Sequence, residues 1–175
     1  MKNTKLKEEF TPPKTDKEVT SFILHTLEVY HTKNNRRGVF FPELRLGGGY
    51  SGIAQRRIDL FHISSDAGYA TTAYEIKASR GDFLRDIKEV QKQRGARLYS
   101  NFFYYVAPIG IISPEEVPDW AGLILIDTTI SPDAGYRPMN MQRIISAPYR
   151  EKSTPSWGLI CSICRKYNKQ LGENG

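Results

Sequence analysis

Apolar and polar positions alternate along two runs in the middle of the chain, RRIDLFHI (56–63) and ATTAYEIKAS (70–79), and period-two alternation predicts two strands joined by a polar turn. Upstream, Val19, Phe22, Ile23, Leu27 and Tyr30 recur at helical spacing behind Thr15-Asp16-Lys17-Glu18. That tetrapeptide reads as a capping box, in which the Thr15 hydroxyl and the Glu18 carboxylate satisfy free N–H groups of the first turn. VFFPELRL (39–46) predicts a further strand, placed at an edge or bulge by Pro42. Ser79-Arg80-Gly81-Asp82 reads as a second N-cap, opening a basic helix over DFLRDIKEVQKQR (82–94) whose Phe83, Leu84, Ile87 and Val90 face a sheet. NFFYYVAP (101–108) suits a central strand, PEEVPDWAG a short helix, and LILID (123–127) a buried parallel strand. After a loop at SPDAGYRPMN, MQRIISAP predicts an additional strand, and a last helix runs from about Trp157 to Gln170. The order α-β-β-β-α-β, plus the additional strand and C-terminal helix, predicts an α/β fold with a mixed central sheet flanked by helices. Residues 1–14, charged and containing Pro12-Pro13, read as a flexible arm, 15–128 as the core, and 129–175 as an extension packed on it with no assignable function.

Strand geometry puts Glu75 and Lys77 on one face and Tyr74 and Ile76 on the other. If the two runs pair as a hairpin, Asp59 stands across from Glu75. Two carboxylates and an ammonium then meet at one point, a set with a chemical use. Mg2+ takes oxygen ligands, usually one or two carboxylates completed by water and substrate phosphate. A cation there would polarise a phosphoryl oxygen and acidify water, with Lys77 orienting the nucleophile or stabilising charge on the phosphate. The plain alternative is an exposed Glu–Lys strand pair worth about 0.2–1 kcal/mol and no more. Context favours the site: Asp59 is embedded among Ile58, Leu60 and Phe61, and Glu75-Ile76-Lys77 leads into a basic helix. Glu43 adds an acid if its strand borders that of Asp59, though an exposed strand Glu is the ordinary reading. Arg85, Lys88 and Lys92, offset by three and four, form either a phosphate-holding stripe or a solvated helix face.

Charge sharpens the picture. The net charge is +6, the pI about 9.3, and Lys and Arg cluster at 33–37, 56–57, 77–97 and 165–169. Such clusters suit a polyanion, whose condensed counterions are released on binding, although a basic surface also serves solubility alone. GGGYSG (47–52) lacks the Lys-Ser/Thr of a phosphate loop and precedes a strand, so it reads as a flexible hairpin loop able to track a DNA backbone. Cys161 and Cys164 form a single C-x-x-C, while His25, His31 and His62 lie far upstream at no zinc-site spacing. On a helix the two thiols read as small core residues, and the strand-before, helix-after setting of a redox pair is missing. No apolar run approaches the roughly 20 residues of a membrane span, and the start, MKNTKLKEEFTPPK, has no apolar signal region. A soluble cytoplasmic protein with no membrane partner is expected.

RRID followed by EIKASRGDFLRDIK resembles the PD-(D/E)XK nuclease superfamily, whose restriction-endonuclease-like core is helix, three-strand meander, helix, strand, with an acid on the second strand and (D/E)-x-K on the third. The pattern is most similar to the MmcB-like, DNA-repair-associated branch, and NFFYYVAP and AGLILID match its later stretches. The likeness covers residues 15–128. Glu89 stands where the branch carries an aromatic, and the tail has no counterpart. The resemblance implies Mg2+ or Mn2+ held by Asp59, Glu75 and the Ile76 backbone carbonyl, with Lys77 beside the attacking water. Glu18 matches an accessory acid of part of the superfamily, beside its capping role. Arg57, Arg80, Arg85, Lys88 and Lys92 become candidate DNA contacts. Duplex cleavage by a one-site enzyme of this type calls for two copies, so a homodimer follows by analogy.

The expected function is that of a Mg2+/Mn2+-dependent deoxyribonuclease of endonuclease type, acting in repair, recombination or defence. A catalytically silent DNA-binding module is the alternative, since a fold does not guarantee its chemistry. A purely structural α/β protein would bind neither metal nor DNA.

Overall fold

Strand-forming runs become strands here because each finds a neighbour for its backbone, and the inner strands find helices for their apolar faces. The computed structural model describes residues 10–33, 38–46, 57–65, 68–135 and 138–173, the side chains of Lys33, Val90 and 170–173 excepted. The arm up to residue 9, the basic stretch 34–37, the glycine-rich loop 47–52, Arg56 and the packing of Val90 therefore lie outside the described residues.

Among the described residues, six strands form one open mixed sheet in chain order: β1 (Gly38–Arg45), β2 (Arg57–Ser64), β3 (Thr71–Ile76), β4 (Phe102–Pro108), β5 (Gly122–Ile126) and β6 (Met141–Ile145). β1, β2 and β3 are an antiparallel meander; β3, β4 and β5 run parallel; β6 returns antiparallel to β5. Pro42 sits on the edge strand β1, where its missing N–H interrupts no central ladder. Beside it Glu43 takes a left-handed φ of 53°.

Helix α1 (Asp16–Lys33) begins with the predicted box: Glu18 Oε2 accepts from the N–H groups of Lys14 (2.8 Å) and Thr15 (3.0 Å), and Thr15 Oγ1 accepts from Glu18 N–H (3.3 Å). Its Ile23 and Leu27 are buried against Leu60, Tyr74, Ile76, Tyr104 and Val106 on one face of the sheet. The opposite face carries α2 (Arg80–Lys88), α3 (Arg94–Leu98) and α4 (Trp157–Glu173), through Phe83, Ala96 and Leu159 packed with Phe61, Ala73, Phe103, Tyr105 and Leu123. Burying Phe83 fully contributes about 1.5–3 kcal/mol and anchors α2 over β4, its ring edge-on to Tyr105 at 5.4 Å.

Three expectations need correction. The predicted helix at 82–94 stops at Lys88; Glu89 turns out of helical geometry (φ −99°, ψ 59°) and a 3-10 turn, Val90–Gln93, leads into α3. PEEVPDWAG holds only a 3-10 turn, Pro114–Glu116, because Pro118 cannot continue a helix and forces Val117 into extended geometry (ψ 126°). Cys161 and Cys164 are exposed free thiols rather than core residues. α4 packs through Leu159 and Ile163, four apart, and at 100° per residue both cysteines project from the other side.

Among the described residues, no helix is long and apolar enough to cross a membrane.

Candidate active site

The β2–β3 ladder ends at Leu60↔Tyr74, and one further step of that register sets Asp59 opposite Glu75. The Ile76 N–H donates to Asp59 Oδ2 (2.8 Å), tying the two strands where their backbone pairing stops. Tyr74 and Ile76 point into the α1 face, so Glu75 and Lys77 project to the α2 face, as alternation requires. Lys77 Nζ donates to Glu75 Oε1 (2.9 Å) and lies 3.5 Å from Asp82 Oδ2 and 3.4 Å from Asp86 Oδ1. The structure thus brings Asp59, Glu75 and Lys77 together.

Asp86 is the residue that the sequence reading left without a role. Its carboxylate is buried. Oδ1 lies 2.7 Å from Lys92 Nζ, and Oδ2 accepts from Gln93 Nε2 (2.7 Å) and from the Tyr105 hydroxyl (3.2 Å). Tyr105 reaches it because the parallel register pairs Tyr105 with Glu75. In an unbroken helix residues 86 and 93 stand two turns, about 10 Å, apart along the axis. The break at Glu89 folds Lys92 and Gln93 back over Asp86. Lys92 therefore points inward and does not extend an outer stripe with Arg85 and Lys88. The available signal was D-F-L-R-D, which spaces Asp82 and Asp86 one helical turn apart just after Lys77.

Electrostatics follow from this packing. Burial, reinforced by the Asp59 charge, raises the Glu75 pKa from 4.5 to about 7, against the opposing pull of Lys77. Burial also raises that of Asp59, partly offset by the Ile76 N–H and Lys77. For Lys77 burial disfavours the charge, but Glu75, Asp86 and Asp82 outweigh it and hold the ammonium protonated above its ordinary range. Lys77 is a fixed cation here, not a base. Asp86 would be pushed up by burial, but Lys92, Lys77 and Gln93 more than reverse this and keep it ionised. Burial and the Asp86 charge raise Tyr105, which stays a phenol donor.

Asp59, Glu75 and Lys77 line an open cavity of about 600 Å3 whose rim includes Arg45 and Arg57. Those arginines are directly paired across β1 and β2, and Arg57 Nη1 is 3.3 Å from Glu43 Oε1. Like charges facing each other across strands repel, so the rim favours an incoming anion. Arg45 was missed because strand register, unlike alternation, is not local. The other candidates stand apart. Glu43 is exposed beside Arg57 and outside the cavity lining, and Glu18 is engaged in its cap. Arg80 is held by Glu116 (2.6 and 2.9 Å) and the Ile111 carbonyl (3.2 Å). Arg85 and Lys88 are exposed, Arg85 3.5 Å from Asp82.

No cluster of three or more His, Cys, Asp or Glu side chains arranged for a metal ion occurs among the described residues. The donor set at this point is the Asp59–Glu75 carboxylate pair with the main chain of Ile76. Its chemistry fits a hard divalent cation: two desolvated carboxylates, each resisting ionisation, are relieved by a positive charge between them, and the open cavity leaves room for water and phosphate.

No family model and no curated protein match the chain. Among solved structures it is similar to a protein of unknown function from Silicibacter pomeroyi, at 15% identity over 89% of this chain and 88% of that one, with a TM-score of 0.59. At that identity the likeness shows a shared fold, an α/β architecture built on a six-stranded mixed sheet flanked by helices.

Proposed function

We propose that the chain is a Mg2+- or Mn2+-dependent deoxyribonuclease with a restriction-endonuclease-like core of the PD-(D/E)XK type, hydrolysing DNA phosphodiester bonds. The observation that carries this reading is the convergence of Asp59, Glu75 and Lys77 in one open cavity beneath the Arg45–Arg57 pair. Asp59, Glu75 and the Ile76 carbonyl would hold the cation, which supplies a Lewis acid for the phosphoryl oxygen and lowers the pKa of bound water.

This chain's own residues supply the rest. The permanently charged Lys77 donates hydrogen bonds toward the reacting phosphate or the incoming water, and Asp86 and Asp82 fix its position. Arg45 and Arg57 take flanking phosphates, and Lys92 neutralises Asp86 so that the acid cluster does not repel the substrate. Residues 129–175 contribute the last strand of the sheet and Leu159 to its core. A homodimer would present two such cavities to a duplex.

The test is cleavage of plasmid, linear, single-stranded and branched DNA with Mg2+ or Mn2+, comparing the wild type with Lys77→Ala. Activity in the first and its loss in the second supports the nuclease. If neither cuts while both bind DNA with salt-dependent affinity, the silent-module reading replaces it.

A further inference from the structure

The face of the sheet away from the acid cluster carries a second cavity, of about 440 Å3, that the proposed hydrolysis does not use. Its walls come from His62 on β2, Thr72 and Tyr74 on β3, Tyr104 on β4 and Arg143 on β6, closed by His31 in the last turn of α1. Tyr74 and Tyr104 share the α1 face with Ile23 and Leu27, whereas Glu75 and Tyr105 alternate to the other side. The two cavities share no lining residue.

Three properties define what this cavity would accept. Its walls are flat: the His31 and His62 rings stack with centroids 3.8 Å apart and planes 23° from parallel, and Tyr74 and Tyr104 stack at 5.9 Å and 22°. Rings held in this way offer offset-stacking surface to another ring. Its charge has one sign. Among the described lining residues the charged side chain is the Arg143 guanidinium, and none is a carboxylate. The cavity on the other face differs in mixing the carboxylates Asp59, Glu75 and Asp82 with its cations. Its polar groups converge, with the Tyr74 hydroxyl 3.0 Å from His31 Nε2, and Arg143 donating to the Tyr30 hydroxyl (3.3 Å) while its guanidinium sits 5.7 Å from the Tyr104 ring centre. The volume lies within the roughly 300–1,000 Å3 of small-molecule sites.

We propose that this cavity binds a small anion joined to a flat ring, with Arg143 taking the phosphate or carboxylate and the ring lying against Tyr74 and Tyr104. The shared chemistry is a planar ring plus an anionic group, and it has two sources, a nucleoside monophosphate or an aryl carboxylate. The inference is independent of the hydrolytic reading.

The chain has three histidines, which makes an internal control available. His31 and His62 line the cavity, while His25 sits at the surface, 2.9 Å from Asp133. The imidazole C–H resonances of the full chain are followed by NMR during titration with 5′-AMP, benzoate and inorganic phosphate. At least one ring-bearing anion is expected to move the His31 and His62 signals saturably with a Kd below ~1 mM, leaving His25 in place. Phosphate alone should bind at least ~10-fold more weakly, and Arg143→Ala should weaken the ring-bearing anion by at least ~10-fold, with Arg143→Lys recovering part of the loss. The ratio of AMP to benzoate affinity identifies the source. Because Arg143 is exposed on an edge strand, both variants should fold, and a circular dichroism melt verifies it. The proposal is overturned if neither ring-bearing anion shifts the two cavity histidines, if phosphate binds as tightly, or if Arg143→Ala leaves affinity unchanged.

Discussion

Replacing Glu75 with Gln keeps the shape of a buried side chain and removes its charge, which isolates the electrostatic strain at the centre of the acid cluster. In the unfolded chain this carboxyl titrates near 4.5, and in the folded chain near 7, because burial and the Asp59 charge disfavour ionisation. Between those values the folded chain keeps a proton that the unfolded chain has lost. The stabilisation is therefore fully present below the unfolded value and is lost as pH rises through the folded one. At about 1.4 kcal/mol per decade of proton affinity, the total is about 3 kcal/mol. Gln has no proton to exchange, so this slope should vanish from the variant. Urea denaturation in EDTA between about pH 5 and pH 8 measures it: the stability of Glu75→Gln relative to wild type should rise by about 3 kcal/mol across the window. Parallel curves would refute the reasoning, since they would mean that the Glu75 carboxyl ionises as freely in the fold as in water. Mn2+ extends the test. At a concentration of about 100 Kd it should stabilise the wild type near pH 8 by about 2.7 kcal/mol and the variant by much less.

The remaining predictions concern the surroundings of that cluster. Asp86→Ala leaves the buried Lys77 ammonium, Lys92, Gln93 and the Tyr105 hydroxyl without their shared acceptor, and should cost about 3–5 kcal/mol in a denaturation experiment. Gly122→Ala should destabilise by about 1–3 kcal/mol, measured the same way, because its Cβ would overlap ring carbons of Tyr104 and approach the Ala147 backbone N to 2.6 Å. The double variant Arg45→Ala, Arg57→Ala should reduce the slope of log K for DNA against log salt by about two while leaving the fold intact, as both side chains are exposed at the rim. An unchanged slope in fluorescence anisotropy would remove both arginines from the DNA path.

Local physics determined much of this protein from its sequence alone. Period-two alternation placed Glu75 and Lys77 together on one side of β3, because side-chain direction along a strand depends on nothing beyond the strand. The caps at Thr15 and Ser79 were equally legible, since a cap hydrogen bond spans three residues; in the structure Ser79 accepts from Asp82 N–H. The tertiary structure decided what depends on distant partners. No Gly or Pro marks the break at Glu89 that folds Lys92 and Gln93 onto Asp86; α3 resumes beyond it with Gly95 and Ala96 buried, a packing outcome that propensity does not carry. The outward turn of Cys161 and Cys164 was set by which side of α4 finds the sheet, and an isolated helix with apolar residues on several sides does not specify that choice. The facing of Arg45 and Arg57 and the cavity between His31, Tyr104 and Arg143 depend on strand register and order. A shift of one residue in pairing would reverse every side chain of a strand, and that register is decided by burial summed over the whole sheet.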